Sequence, residues 1–269
     1  MATAALREAL CMDQDEVEAL LERLHEAGAR IAGSFPLLHC CEPCPRDWAA
    51  ATRAEVRLLA WIAKQHGAAL PQPALERIGN WLQLAPLQDD WAAGRMDVDV
   101  FVMDTVHTES PPFGLLGWRR SPEEEPEARG LYAVLPYVAA VQVWRKGGTA
   151  LNVIRLNNQS NVDLFIAECF DFSFCQATLA SRPVRMRGTA NVRKYAEILG
   201  YLRYRMEQWE SAWDEHRFAP PGLSYHDFQG LAHTLAHTMQ TRLAKYVRRR
   251  FTVENRDALL ALIQEARSV

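Results

Sequence analysis

Asp97-Val98-Asp99-Val100-Phe101-Val102 constrains this chain more than any other stretch. Successive side chains of a β-strand point to opposite faces. The two carboxylates therefore share one face, and the three valines line the other and demand a core. Like charges side by side raise each other's pKa and resist desolvation, so the pair needs an outlet. One outlet is water, with 97–102 as an edge strand whose polar face is solvated. The other is a divalent cation. Two metal ions about 3.5–4 Å apart clamp in-line phosphoryl or nucleotidyl transfer. That second reading requires a third carboxylate and a turn that holds phosphate.

Both have candidates. In Phe170-Asp171-Phe172-Ser173-Phe174-Cys175 the phenylalanines mark a buried face, which predicts a strand with Asp171, Ser173 and Cys175 on the other side. If that strand lay beside 97–102, at the usual spacing of about 4.8 Å, Asp171 would reach the same metal pair. Gly33-Ser34 follows a short predicted strand, 29–32, and precedes a helix opened by Pro36. A glycine and a small hydroxyl at such a turn let backbone N–H groups and the Ser34 hydroxyl approach a phosphate.

The remaining pattern organises the chain around these motifs. Helices are predicted over 13–27, ended by Gly28, and over 47–66 and 74–84, where Trp48, Val56, Leu59 and Ile62 mark the apolar face of the first. A loop follows the Asp-x-Asp strand, with Pro111, Pro112, Pro122 and Pro126 around acidic residues. Val138 to Trp144 and Ala150 to Leu156 alternate around Gly147-Gly148, a β-hairpin pattern. From about 190 the pattern is helical, broken at Pro220-Pro221 and Gly222. The expected fold class is α+β: a mixed β-sheet core over 1–205, a helical insertion at about 46–88, and a C-terminal helical region over 206–269.

Composition excludes several classes. The chain has 269 residues, is 49% hydrophobic and carries a net charge of −3, so no global basic field recruits nucleic acid. No apolar run approaches the roughly 20 residues that span a bilayer, and the N-terminus lacks a signal-peptide layout. Six cysteines in a chain this long do not make a disulfide scaffold. A soluble, cytoplasmic protein is expected.

Gly33-Ser34 on a strand–turn–helix, Trp91 before Asp97-x-Asp99-x-Phe101, a hairpin and a Phe-Asp motif together resemble the nucleotidyltransferase superfold, the polymerase-beta-like fold. More narrowly, the chain is similar to a group from fungi and large DNA viruses. That group shares the Trp, the later Phe-Asp-x-x-x-Cys motif (here Phe170 to Cys175) and a basic Lys-Tyr tail (here Arg242, Lys245-Tyr246 and Arg249-Arg250-Phe251). The resemblance implies that Asp97, Asp99 and Asp171 bind two Mg2+ ions and that Gly33 and Ser34 hold a nucleoside triphosphate. The activity implied is transfer of a nucleoside monophosphate to a hydroxyl of RNA, protein or a small molecule. Two departures stand out: the long stretch between Ser34 and Asp97, and Arg249-Arg250-Phe251 where the group has Arg-Gly-Phe.

Arg182, Arg185, Arg187, Arg193 and Lys194 follow Asp171 closely and are candidates for phosphate contact, Lys194 foremost. Arg242, Lys245, Arg248, Arg249 and Arg250 place cations near one helical face, either as a solvated face or as contacts to nucleotide or RNA, with Tyr246 available for stacking. His39-Cys40-Cys41-Glu42-Pro43-Cys44 has one Cys-x-x-Cys pair and no second, which favours packing over zinc. His233 and His237 lack a metalloprotease glutamate between them and fit a polar helix face. The alternative to an enzyme is a module of the same fold that binds RNA or a protein without catalysis.

Overall fold

The computed structural model describes residues 2–42, 50–67, 72–94, 96–104, 117–122, 137–146, 149–157, 161–179, 183–214 and 223–269. Trp48, Cys44, Pro111, Pro112, Pro126, Gly147-Gly148, Arg182, Pro220-Pro221 and Gly222 lie outside them. The class is α+β, with a mixed sheet and helices on both of its faces.

Helices α1 (Ala2–Leu10) and α2 (Gln14–Glu26) come first, and α2 opens on a capping box in which Asp13 and Glu16 satisfy each other's backbone N–H. Next come β1 (Arg30–Ala32), the turn glycine Gly33 and α3 (Ser34–Cys40). A two-residue strand β2 (Cys41–Glu42) leads to α4 (Ala50–Gln65) and α5 (Gln72–Ala92), the predicted helical insertion, with α5 running eight residues beyond its expected end at 84. Then follow β3 (Val98–Met103), β4 (Arg119–Arg120), β5 (Val138–Lys146) and β6 (Thr149–Leu156), the latter two forming the expected hairpin. The main sheet has the order β1-β3-β6-β5-β4, with β3 and β6 parallel and the other pairs antiparallel.

The alternation of β3 sorts the two sheet faces as the sequence predicts. Val98, Val100 and Val102 are buried with Leu151 and Val153 against α1 and α2. Each such side chain contributes about 1.5–3 kcal/mol by leaving water. Asp99 and Phe101 face the opposite side, toward α6 (Val162–Cys169) and the C-terminal helices.

The segment 170–175 departs from its predicted conformation. After α6 the chain bends at Asp171 and forms a 3-10 turn over Ser173–Gln176 instead of a strand. Cys175 is buried as well as Phe174, so the apolar pattern closes on itself: the Cys175 N–H donates to the Phe172 carbonyl at 2.9 Å. Both edges of β3, beside which this strand was expected, are taken: one by β1 and the other by β6, paired over six residues. Phe172 and Phe174 stack at 5.1 Å and meet Tyr246 edge-on.

Short strands β7 (Val184–Arg185) and β8 (Arg187–Gly188) pair with β2 and with β9 (Thr252–Val253), tying the segment after Asp171 to α3 and to the tail. Helices α7 (Val192–Asp214), α8 (Tyr225–Arg248) and α9 (Arg256–Arg267) complete the chain. Residue 205 falls inside α7, and the core continues through α7, α8 and α9. Among the described residues no helix is long and apolar enough to cross a membrane.

The basic tail divides into two groups. Arg249 is fully buried; its Nε donates to Asp90 of α5 at 2.6 Å and its Nη1 to the Ser34 hydroxyl at 3.2 Å. Arg248 reaches the same Asp90 at 2.9 Å, and Arg250 forms a bidentate pair with Glu55 of α4 at 2.9 and 3.0 Å. These three therefore fasten the helical insertion to the core. Arg250 has φ of 66°, a left-handed conformation that favours glycine. The pair with Glu55 offsets part of that conformational cost.

Replacing Asp90 by Ala leaves the Arg249 guanidinium buried without its carboxylate. Chemical denaturation should show a loss of about 3–5 kcal/mol, whereas Arg248→Ala, which removes a largely exposed partner, should cost less than about 1 kcal/mol. Equal effects of the two would show that the Arg249 pair is not what holds α5.

Candidate functional site

Strands β3, β5 and β6 and helices α3, α6, α7 and α8 converge on one cavity of about 250 Å³, far larger than the roughly 30 Å³ that one water takes up. Its polar end is lined by Gly33, Ser34, Asp99, Asn152, Asp171, Lys194, Arg242 and Lys245; its other end by Phe101, Val138, Val141, Ile154, Phe165 and Phe170.

The turn after β1 sets the first wall. Ala32 pairs with Asp99 across β1 and β3, so Gly33 arrives directly beside that carboxylate. Gly33 has φ of 89°, and a Cβ there would stand 3.4 Å from Asp99 Oδ2. The conformation calls for glycine, and a Cβ would only touch the carboxylate. The Ser34 hydroxyl was expected to face a phosphate. It lines the cavity but is buried, 3.0 Å from the Tyr246 hydroxyl and accepting from Arg249, so its first duty is to bind α8 to the turn.

Asp97 is exposed at the start of β3 and Asp99 is half-buried. Between them stands Asn152, opposite Asp99 in the β3–β6 register; its Nδ2 donates to Asp99 Oδ1 at 2.8 Å and to Asp97 Oδ2 at 3.5 Å. Burial pushes the Asp99 carboxyl up to about 6. The Asn152 hydrogen bond opposes that rise, Asp97 adds to it, and Lys245 and Arg242 pull it back. Sequence reasoning missed Asn152. The available signal was a lone carboxamide within the apolar run of β6.

Asp171 lies in the same cavity as Asp99, but its oxygens already have donors. Oδ1 accepts from Lys194 Nζ at 2.6 Å and from the Tyr195 hydroxyl at 2.5 Å, and Oδ2 pairs with Arg242. Lys194 also donates to the Cys169 carbonyl at 2.7 Å. Burial lowers its ammonium to about 8, so it remains charged at neutral pH. Tyr195 and Asn191 were not predicted. Asn191 fixes the backbone around Asp171, donating its N–H to the Asp171 carbonyl and its side chain to that of Phe170. Among the described residues, no three His, Cys, Asp or Glu side chains come together as a group that could hold a metal ion.

Arg242, Lys245, Tyr246 and Arg249 lie at i, i+3, i+4 and i+7, one face of α8 directed at the site. Arg242 and Lys245 reach the cavity, Tyr246 packs beneath it, and Arg249 anchors it from behind. The cavity lining thus sets three cations, Lys194, Arg242 and Lys245, against two carboxylates. His233 and His237 are both on the exposed face of α8, as expected of a polar face. Cys40 and Cys41 are half-buried free thiols.

The donor chemistry tests a metal directly. Asp97 and Asp99 offer hard oxygen ligands on one face, which suits Mg2+. Asp171, engaged by two cations and a hydroxyl, does not fit as a third ligand in this arrangement.

Comparison with family models, with curated proteins and with solved structures found no match.

Asp99 ionises less readily in the folded chain than its ordinary value of about 4 would give in the unfolded chain, so it lowers stability once it is charged. The penalty is full above pH 6 and vanishes below pH 4. Without divalent cations, Asp99→Asn should therefore raise stability by about 2 kcal/mol at pH 7.5 and change it little at pH 4. Urea denaturation across pH measures this; a constant difference would mean that the charge of Asp99 is not the cause.

Proposed function

We propose that this chain is a Mg2+-dependent nucleotidyltransferase that moves a nucleoside monophosphate from a nucleoside triphosphate to a hydroxyl acceptor. One observation carries the reading: a positive-φ glycine turn abuts Asp99, the inner member of an Asp-x-Asp pair, in a cavity that three cations also line. That combination suits a polyanion that arrives with a metal ion.

Asp97 and Asp99 would hold the divalent cation. When bound, such an ion neutralises phosphate charge and lowers the pKa of an attacking hydroxyl. The chain's own residues do the rest. Gly33, having no Cβ, lets a phosphate approach the backbone beside Asp99. Lys194, Arg242 and Lys245 orient phosphate oxygens and balance their charge, and the guanidinium offers two parallel donors where the ammonium groups act as point charges. Asp171 holds Lys194 and Arg242 in fixed positions, so it acts through them as a positioning residue. The apolar end, with Phe101, Phe165 and Phe170, offers a surface for a base or for the acceptor.

A second reading has its own observation. The donors that saturate Asp171 would suit a module that binds an anion, such as an RNA phosphate, without catalysis. Incubating the protein with each α-labelled nucleoside triphosphate and Mg2+ separates the two. The enzyme reading predicts release of pyrophosphate and a labelled product with at least one nucleotide, and loss of about 10²-fold or more of that activity in Asp97→Ala and Asp99→Ala. Binding with no turnover for any nucleotide, in the presence of cellular RNA and protein as acceptors, would favour the module. Full activity in either aspartate variant would contradict the placement of the metal.

A further inference from the structure

We infer that this site takes one divalent cation, not two, because the protein itself supplies a neutral amide and a fixed guanidinium where a second ion would need a carboxylate and vacant space. The inference rests on the reading of Asp97 and Asp99 as metal ligands and specifies what surrounds them.

The register carries the first half. A third carboxylate reaches a metal on β3 most directly from the neighbouring strand, about 4.8 Å away, at the position opposite Asp99. That position is Asn152. Its amide can turn one of two ways, and toward two carboxylates only the Nδ2 side is attractive. So placed, Asn152 bridges both carboxylates with hydrogen bonds and draws them toward a common point. It relieves their repulsion in part and adds no negative charge that would attract a second ion. Asn152 is thus a positioning residue for the Asp97–Asp99 pair.

The second half comes from α8. Arg242 pairs with Asp171 and lines the same cavity as Asp99. One guanidinium therefore occupies the cavity shared by both carboxylates that a second metal ion would have to bridge. With Lys194 on the other oxygen of Asp171, the site already holds the positive charge that such an ion would bring. A guanidinium is charged at every accessible pH and cannot dissociate. Phosphate binding at this end should then depend on Arg242 and not on the concentration of free metal.

Counting Mn2+ ions on the protein without nucleotide tests this, using the paramagnetic signal of free Mn2+ over a titration. Wild type should bind one ion per chain. Asn152→Asp should bind that ion about tenfold more tightly, since ligand charge sets affinity for hard cations. Asn152→Asp combined with Arg242→Met should take up a second ion, which a merely structural role for either residue would not produce. Two ions of similar affinity in wild type would overturn the inference and leave the metal reading standing. Binding of one ion that survives Asp97→Ala would overturn the metal reading itself. Unchanged Mn2+ affinity in a folded Asn152→Asp, verified by circular dichroism, would remove Asn152 from the site.

Discussion

Two carboxylates on one face of a central strand are the constraint around which this structure is arranged. Val98, Val100 and Val102 bury β3 on one side, and that burial compels Asp97 and Asp99 to share the other. A chain that folds this way has to place compensating groups around the pair. Here they are the Asn152 amide from β6 and the charges of Arg242 and Lys245 from α8. The turn beside Asp99 takes glycine because its φ of 89° is a conformation that L side chains rarely adopt.

Cations reach this sheet face because α8 is fixed in rotation. Arg249 and Tyr246 hold Ser34, and Arg249 holds Asp90 at the end of α5. One helical face thus carries cavity-lining cations, Arg242 and Lys245 at i and i+3, followed by anchors, Tyr246 and Arg249 at i+4 and i+7. The helical insertion is part of that arrangement. Without Asp90, the guanidinium that positions α8 has no buried counter-charge.

Period-two alternation made β3 and the hairpin legible in the sequence, and capping made α2 legible. The Gly33-Ser34 turn was legible as a break between a strand and Pro36. Tertiary choices were not. The phenylalanines at 170, 172 and 174 satisfy a strand pattern and an aromatic cluster equally; in the folded chain β1 and β6 hold both edges of β3 and the rings of Phe172 and Phe174 stack. The tail showed its charge in sequence but not its division of labour: Arg248, Arg249 and Arg250 look like Arg242 and Lys245 until Asp90 and Glu55, more than 150 positions away, are brought against them. Asn152 carries no local mark of its role, which arises from strand register alone.

The most direct test of the account is a crystal structure with Mn2+ and a nucleoside triphosphate analogue that cannot be cleaved between the α- and β-phosphates, with the metal located by its anomalous scattering. The account predicts an ion ligated by Asp97 and Asp99, and phosphates lying between the Gly33 turn and Lys194, Arg242 and Lys245. Phosphates seated elsewhere on the protein, or an ion bound without either aspartate, would contradict it.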